Sequence, residues 1–111
     1  MTQISIKEWG AGNFISMIGH ADTQQFGKDI VCAGLSAYAY FLNHFISVME
    51  EERKVWCPLK VFEPGNVRLL ILPNTEGKDT LDTVIRAVKR GLKAMEAMYP
   101  KGIKFEEKEG D

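Results

Sequence analysis

The sequence predicts an α+β fold: a mostly antiparallel sheet covered by two helices, in the order β-β-α-β-β-α-β. Three observations carry that prediction. Apolar and polar residues alternate along 2–9 and again at the far end, the mark of half-buried strands. Two tight-turn stretches, Gly10-Ala11-Gly12-Asn13 and Pro64-Gly65-Asn66, each separate a pair of apolar runs, so hairpins dominate. Two longer segments, beginning near Asp29 and near Asp79, carry helical spacing instead. With 111 residues the chain can bury one core and not two, so residues 1–111 form a single domain without an internal repeat.

Taken in order, Ile4 and Ile6 face one way and Ser5 and Lys7 the other in the first strand. Phe14 to Gly19 returns as a nearly all-apolar strand inside the sheet and delivers His20 to its end. Residues 21–28, with Thr23, two glutamines and Gly27, show no periodicity and read as an exposed loop. Asp29 then suits an N-cap for a helix running to about Glu50. Its apolar residues, among them Val31, Leu35, Tyr38, Phe41, Leu42, Phe45, Ile46 and Met49, occupy more than one stripe. Such a helix packs on a sheet on one side and on another helix or subunit on the other. Glu50 to Lys54 is a solvated helix end.

Val55-Trp56-Cys57-Pro58 starts an extended segment that Pro58 keeps from a central strand. Lys60–Glu63 and Val67–Leu72 flank a type II turn with Pro64 and Gly65 at its centre. Asp79 or Thr80 caps a second helix with Leu81, Val84, Ile85, Val88, Leu92 and Met95 on its dry face and Asp82, Arg86, Lys89, Lys93 and Glu96 on its wet one. Tyr99-Pro100 ends it, Ile103 and Phe105 form a short last strand, and 106–111 is a charged tail.

Composition narrows the classes of function. Apolar residues make up 45% and charged residues 26%, with 14 basic against 15 acidic side chains and a net charge of -1. The basic residues are spread out, which argues against a nucleic-acid partner. No apolar run approaches the roughly 18 residues of a membrane span, and the alternating N-terminus is unlike a secretory signal. The expected location is the cytoplasm, with no membrane association and with Cys32 and Cys57 as free thiols.

The chemistry-bearing residues concentrate between Gly19 and Ser36. A thiolate is the reactive form of cysteine. With Asp29 as cap, Cys32 is the third helical residue, beside unpaired N–H groups and the positive end of the helix dipole. An imidazole folded back from the strand end, His20, could take the thiol proton, and the same N–H groups could stabilise an oxyanion. The bland alternative stands beside it: a cysteine in an apolar helix is commonly an inert core residue. His44, three turns further along, reads as a core or subunit-interface histidine, and Cys57 as a buried thiol. Asp29 as a third catalytic member competes with its capping role. Ser36 shares the face of Cys32, though such hydroxyls often bond back to the helix. A zinc site from the two histidines and two cysteines fails on spacing, and no metal or other cofactor is expected.

Gly19-His20-Ala21, a short loop, Gly27-Lys28-Asp29-Ile30-Val31-Cys32-Ala33, and Leu35-Ser36-Ala37 together resemble the signature of the ribosomal-processing cysteine protease family, Prp (YsxB-like). The resemblance extends over nearly the whole chain, including the second helix and its ending Met98-Tyr99-Pro100-Lys101. It implies a small cytosolic homodimer that removes a short N-terminal extension from a large-subunit ribosomal protein, the twenty-seventh. It further implies Cys32 as nucleophile and His20 as general base, with Gly19, Ala21, Gly27, Asp29 and Ser36 as supporting or substrate-binding residues. The segment between His20 and Asp29 would order over the substrate. Gly34, where the family commonly has alanine, and the aromatic stretch Tyr38–Phe45 depart from the pattern and bear on specificity. Two alternatives follow: a phage-type homologue that processes another protein, or a non-catalytic dimeric module that binds a peptide without cutting it.

Overall fold

The structure, a computed structural model, describes residues 1–19 and 25–106, with only the backbone of residues 25–29. Its elements are β1 (Thr2–Trp9), β2 (Gly12–Ile18), α1 (Gln25–Glu51), β3 (Val55–Glu63), β4 (Asn66–Pro73), α2 (Lys78–Met98) and β5 (Ile103–Phe105). The order is the one the sequence predicts. The five strands form one sheet in the order β3-β4-β2-β1-β5. Three pairings are antiparallel, and the β1–β5 pair is parallel.

Period-two burial decides which face of the sheet is dry. Ile4 pairs with Met17 and Met17 with Val67, while Ile6 pairs with Ile15 and Ile15 with Leu69. All six are buried on the same face. Val31, Leu35, Leu42, Ile46 and Met49 of α1, and Leu81, Ile85, Val88 and Leu92 of α2, belong to that one core. Both helices therefore lie on one side. The topology requires it: β2–α1–β3 and β4–α2–β5 are crossovers between parallel strands, running in opposite directions from antiparallel strands. Crossovers of one hand then share one face.

Three local features differ from the sequence reading. Helix α1 begins at Gln25, not at Asp29. Gln25 and Lys28 are ordinary helix formers, and one interior glycine, Gly27, costs only about 1 kcal/mol, so packing further along carries the helix through it. Cys32 is thus the eighth helical residue instead of the third. Helix α2 is capped by Gly77, with no side-chain bond from the cap residue. Instead Asn74 Oδ1 accepts the Gly77 N–H at 2.9 Å, so Asp79 lies inside the helix. The stretch Ile30–Glu51 (mean hydropathy 1.3) is long and apolar enough, by length and composition, to cross a bilayer. The expectation of no such run is corrected, although one stripe of this helix is part of the core just described.

The end of α1 is tightly tied. Arg53 takes φ 58°, its N–H donates to the Glu50 carbonyl and that of Lys54 to the Met49 carbonyl. This paired pattern satisfies the last carbonyls of the helix. Asn74 then bonds the Arg53 carbonyl through Nδ2 at 2.7 Å, joining the exit of α1 to the entry of α2. Directly after this junction, the edge strand β3 tolerates Pro58 because it pairs only with β4, with a register shift between Trp56 and Leu59.

At the other end of the sheet Gly19 has φ +101°, and a Cβ there would lie 2.5 Å from the Met1 carbonyl oxygen. Gly19→Ala should therefore lower stability by about 2 kcal/mol, from backbone strain and the clash together. Gly10→Ala, with nothing within 4 Å of the added methyl, should shift it by less than about 0.5 kcal/mol. Urea denaturation of the two variants checks the difference.

Candidate active site

The site is assembled by one face of α1, the end of β2 and the β3–β4 turn. Residues 32, 36, 40 and 43 recur at intervals of three and four, so they share one side of the helix. Cys32, Ser36, Tyr40 and Asn43 do line one cleft, of about 330 Å³. Met17, Leu35 and Val67, all buried, form its floor. The far wall is the turn Phe62–Asn66, where Gly65 takes φ +72°, as the second central residue of a type II turn must. A volume of this order is at the small end for a ligand site, and its apolar floor with a polar rim suits a peptide side chain.

Gly19 closes the end of the cleft. Its N–H donates to the Gly65 carbonyl at 2.9 Å, and its carbonyl accepts from Thr2 Oγ1 at 3.4 Å. The end of β2 is thus pinned through Gly19 to the turn opposite Cys32. His20 and Ala21 themselves lie outside the described residues, as do the side chains of Gly27's neighbour Lys28 and of Asp29. Among the expected site residues, then, the structure brings Gly19, Cys32 and Ser36 together. Gly27 lies in the first turn of α1, five residues before Cys32, and Asp29 follows within the helix, so its capping role is withdrawn. The dipole argument for Cys32 goes with it: an N–H two turns into a helix is bonded to the preceding turn and free for nothing else.

The residues the sequence reading missed are Tyr40, Asn43, Phe62, Glu63 and Asn66. Tyr40 and Asn43 were accessible to helical spacing from Cys32. The turn residues were not, because only the β3–β4–β2 register brings them opposite α1. Asn66 is held in place by the Arg68 Nε–H, which donates to its Oδ1 at 3.2 Å.

Cys57 is a different kind of thiol. It sits on β3 away from the cleft, and its Sγ donates to the Leu59 carbonyl at 3.1 Å. Burial, and then the nearby Glu50 carboxylate, raise its pKa; Lys60 and a backbone bond from Leu70 oppose them in part. The folded chain therefore keeps this proton to higher pH than the unfolded one. The resulting stability is complete below the unfolded thiol's pKa and is lost as pH rises through the folded value. His44 is exposed on α1 and is not a core residue.

The family model of the cysteine protease Prp matches residues 1–104. The chain belongs to the Prp cysteine protease family. Two solved Prp structures share its fold. Both are of an essential ribosomal processing protease Prp from S. aureus. One, with a covalently linked product peptide, is 23% identical with a TM-score of 0.67, covering 95% of this chain and 97% of that one. The other, with a substrate peptide, is 22% identical with a TM-score of 0.68, covering 96% and 98%. Comparison with curated proteins gives no match.

The two thiols should separate chemically. Near neutral pH, iodoacetamide should modify Cys32, in an open cleft, at least tenfold faster than Cys57, whose thiol is partly buried and held protonated. Replacing His20 with alanine should slow Cys32 and leave Cys57 unchanged, as read by peptide mapping.

Proposed function

We propose that this Prp family member is a cysteine endopeptidase in which Cys32 is the nucleophile and His20 the general base. The observation that carries the reading is the placement of the Cys32 thiol in a cleft whose end wall is Gly19, the residue immediately before His20. The imidazole takes the thiol proton, and the thiolate attacks the scissile carbonyl carbon. The tetrahedral intermediate collapses, breaking the C–N bond, as the imidazolium returns its proton to the leaving amine. Water, deprotonated by the same imidazole, then cleaves the thioester, releasing the acid and restoring the thiol. Ser36, one turn from Cys32, lines the path of the substrate.

The proposed substrate is the N-terminal extension of a large-subunit ribosomal protein, the twenty-seventh, and the proposed setting is the cytoplasm. The ribosomal processing function of the S. aureus relatives supports this substrate, and the apolar floor of the cleft is compatible with an extended peptide. The working form is proposed to be a homodimer. It is supported by α1, whose exposed side carries Ile30, Tyr40, Phe41 and Val48.

Incubation with the extended ribosomal protein, read by mass spectrometry, tests the proposal. The parent should release one N-terminal fragment, and Cys32→Ala should reduce the rate by about 10³-fold or more. Equal cleavage by parent and Cys32→Ala would refute the assignment of the nucleophile.

A further inference from the structure

Both helices lie on one side of the sheet, and among the described residues no element packs on the other. Alternation decides what that open face carries. Ile4, Ile6, Ile15, Leu69 and Ile71 point into the core, so their neighbours along each strand point outward. The pairing sets these outward residues in rows. In one row Lys7 stands beside Phe14, Phe14 beside Leu70 and Leu70 beside Leu59. One row nearer the β3–β4 turn, Arg68 lies between Ser16 and Val61. One row the other way, Trp9 pairs with Gly12 and Trp56 with Leu72. Gly12 leaves room there for Leu72, whose Cδ2 would lie 2.8 Å from a Cβ on that glycine.

These are the two tryptophans of the chain, and both are exposed, Trp9 at 37% and Trp56 at 65%. Their strands are three spacings apart, about 14 Å, and Phe14 stands one row away. An apolar area of this kind on a surface marks an interaction site. The charges on it select the occupant. Lys7, Arg68 and Lys104, which pairs with Gln3, are distant in sequence and therefore read as spread out. The strand order places all three on this face. Among the described residues none of them is in a salt bridge. Lys60, the remaining strand cation, points the other way, to Ser47 and Glu50 of α1. Glu63, at the turn end, is the one strand carboxylate in register with the open face.

We propose that this face binds single-stranded RNA, with bases stacked on Trp9, Phe14 and Trp56 and phosphates paired with Lys7, Arg68 and Lys104. Aromatic rings interleaved with cations suit an unpaired strand, in which every base offers a flat face and every nucleotide a negative charge. An apolar protein partner or a lipid core would desolvate Lys7 and Arg68 without supplying a counter-charge, and a polyanion supplies it. With β1 set aside, β2-α1-β3-β4-α2-β5 follows the βαββαβ order of sheets that stack bases on their open face. Order alone carries no function; here the side chains do. The choice of RNA over DNA rests on the ribosomal setting proposed above, whereas the surface itself lies on the side of the sheet away from Cys32.

Tryptophan fluorescence reads this face alone, because both tryptophans are on it. Titrating the full chain with a mixed-sequence RNA of about 12 nucleotides, at about 50 mM salt, should quench it with a dissociation constant on the order of 10 µM. The association constant should fall with salt at a log–log slope of about -2, as for two or three phosphate contacts. Trp56→Ala should weaken binding about fivefold or more, read by anisotropy of labelled RNA. Lys7→Glu should weaken it about threefold or more and flatten the salt slope. Both variants should keep the parent's circular dichroism. Duplex RNA of the same length, whose bases are already stacked, should bind about fivefold more weakly or worse. No quenching by RNA, equal affinity of parent and both variants, or equal affinity for duplex would overturn the proposal. So would quenching by phosphatidylcholine vesicles and none by RNA, because the face would then meet a membrane. Tighter binding of DNA of the same sequence would overturn the choice of RNA. None of these readouts involves cleavage, so failure of the protease reading and failure of the RNA reading remain distinct.

Discussion

The hydrogen bond from Gly19 to Gly65 holds together the two parts of the fold that make the cleft. Both glycines have positive φ, and neither position readily accepts a side chain. At Gly65 the left-handed conformation lets β3 return into β4 through a turn of two residues. At Gly19 it swings the chain out of the sheet beside Met1, against which a methyl group would collide. The bond between them, 2.9 Å long, fixes the exit of β2 against the turn. Everything on the far side of the cleft is then positioned by one helix, α1, which lies across both.

That helix divides its surface with little waste. Its buried residues, Val31, Leu35, Leu42, Ile46 and Met49, hold it to the sheet. Rotated by a quarter turn, Cys32, Ser36 and Asn43 face the cleft. Rotated further, the exposed side with Phe41 and Val48 faces outward. Cys32 is thus rigidly placed by core packing two turns into a helix, while the residue proposed to activate it arrives on the chain leaving Gly19. With the helix dipole removed as a source of activation, the proposed mechanism rests on His20 alone to take the thiol proton. Cys57 shows what the fold does to a thiol without such a role: burial and Glu50 keep it protonated.

Much of the fold was legible because its signals are local. The alternation of Ile4 and Ile6, the Pro64-Gly65 turn and the amphipathic spacing of Leu81, Ile85, Val88 and Leu92 each specify an element without knowledge of the others. The start of α1 was not legible, because Gly27 and the polar residues around it read as loop while tertiary packing continues the helix through them. The cap of α2 was hidden for a related reason: Asn74 does the work from outside the helix, where Asp79 looked the natural candidate. At the site, Gly19 and Ser36 were found with Cys32 by motif. Tyr40 and Asn43 needed the helical register, and Phe62 to Asn66 needed the strand order, which no local pattern carries.

The proposed mechanism turns on a covalent bond from Cys32 to the substrate carbonyl. The most direct measurement is acid quenching during turnover of the extended ribosomal protein, followed by digestion and mass analysis. A transient thioester carrying the N-terminal fragment should appear on the peptide that contains Cys32 and be absent when Cys32 is alanine. Product accumulating with no such adduct, or an adduct on Cys57, would contradict it.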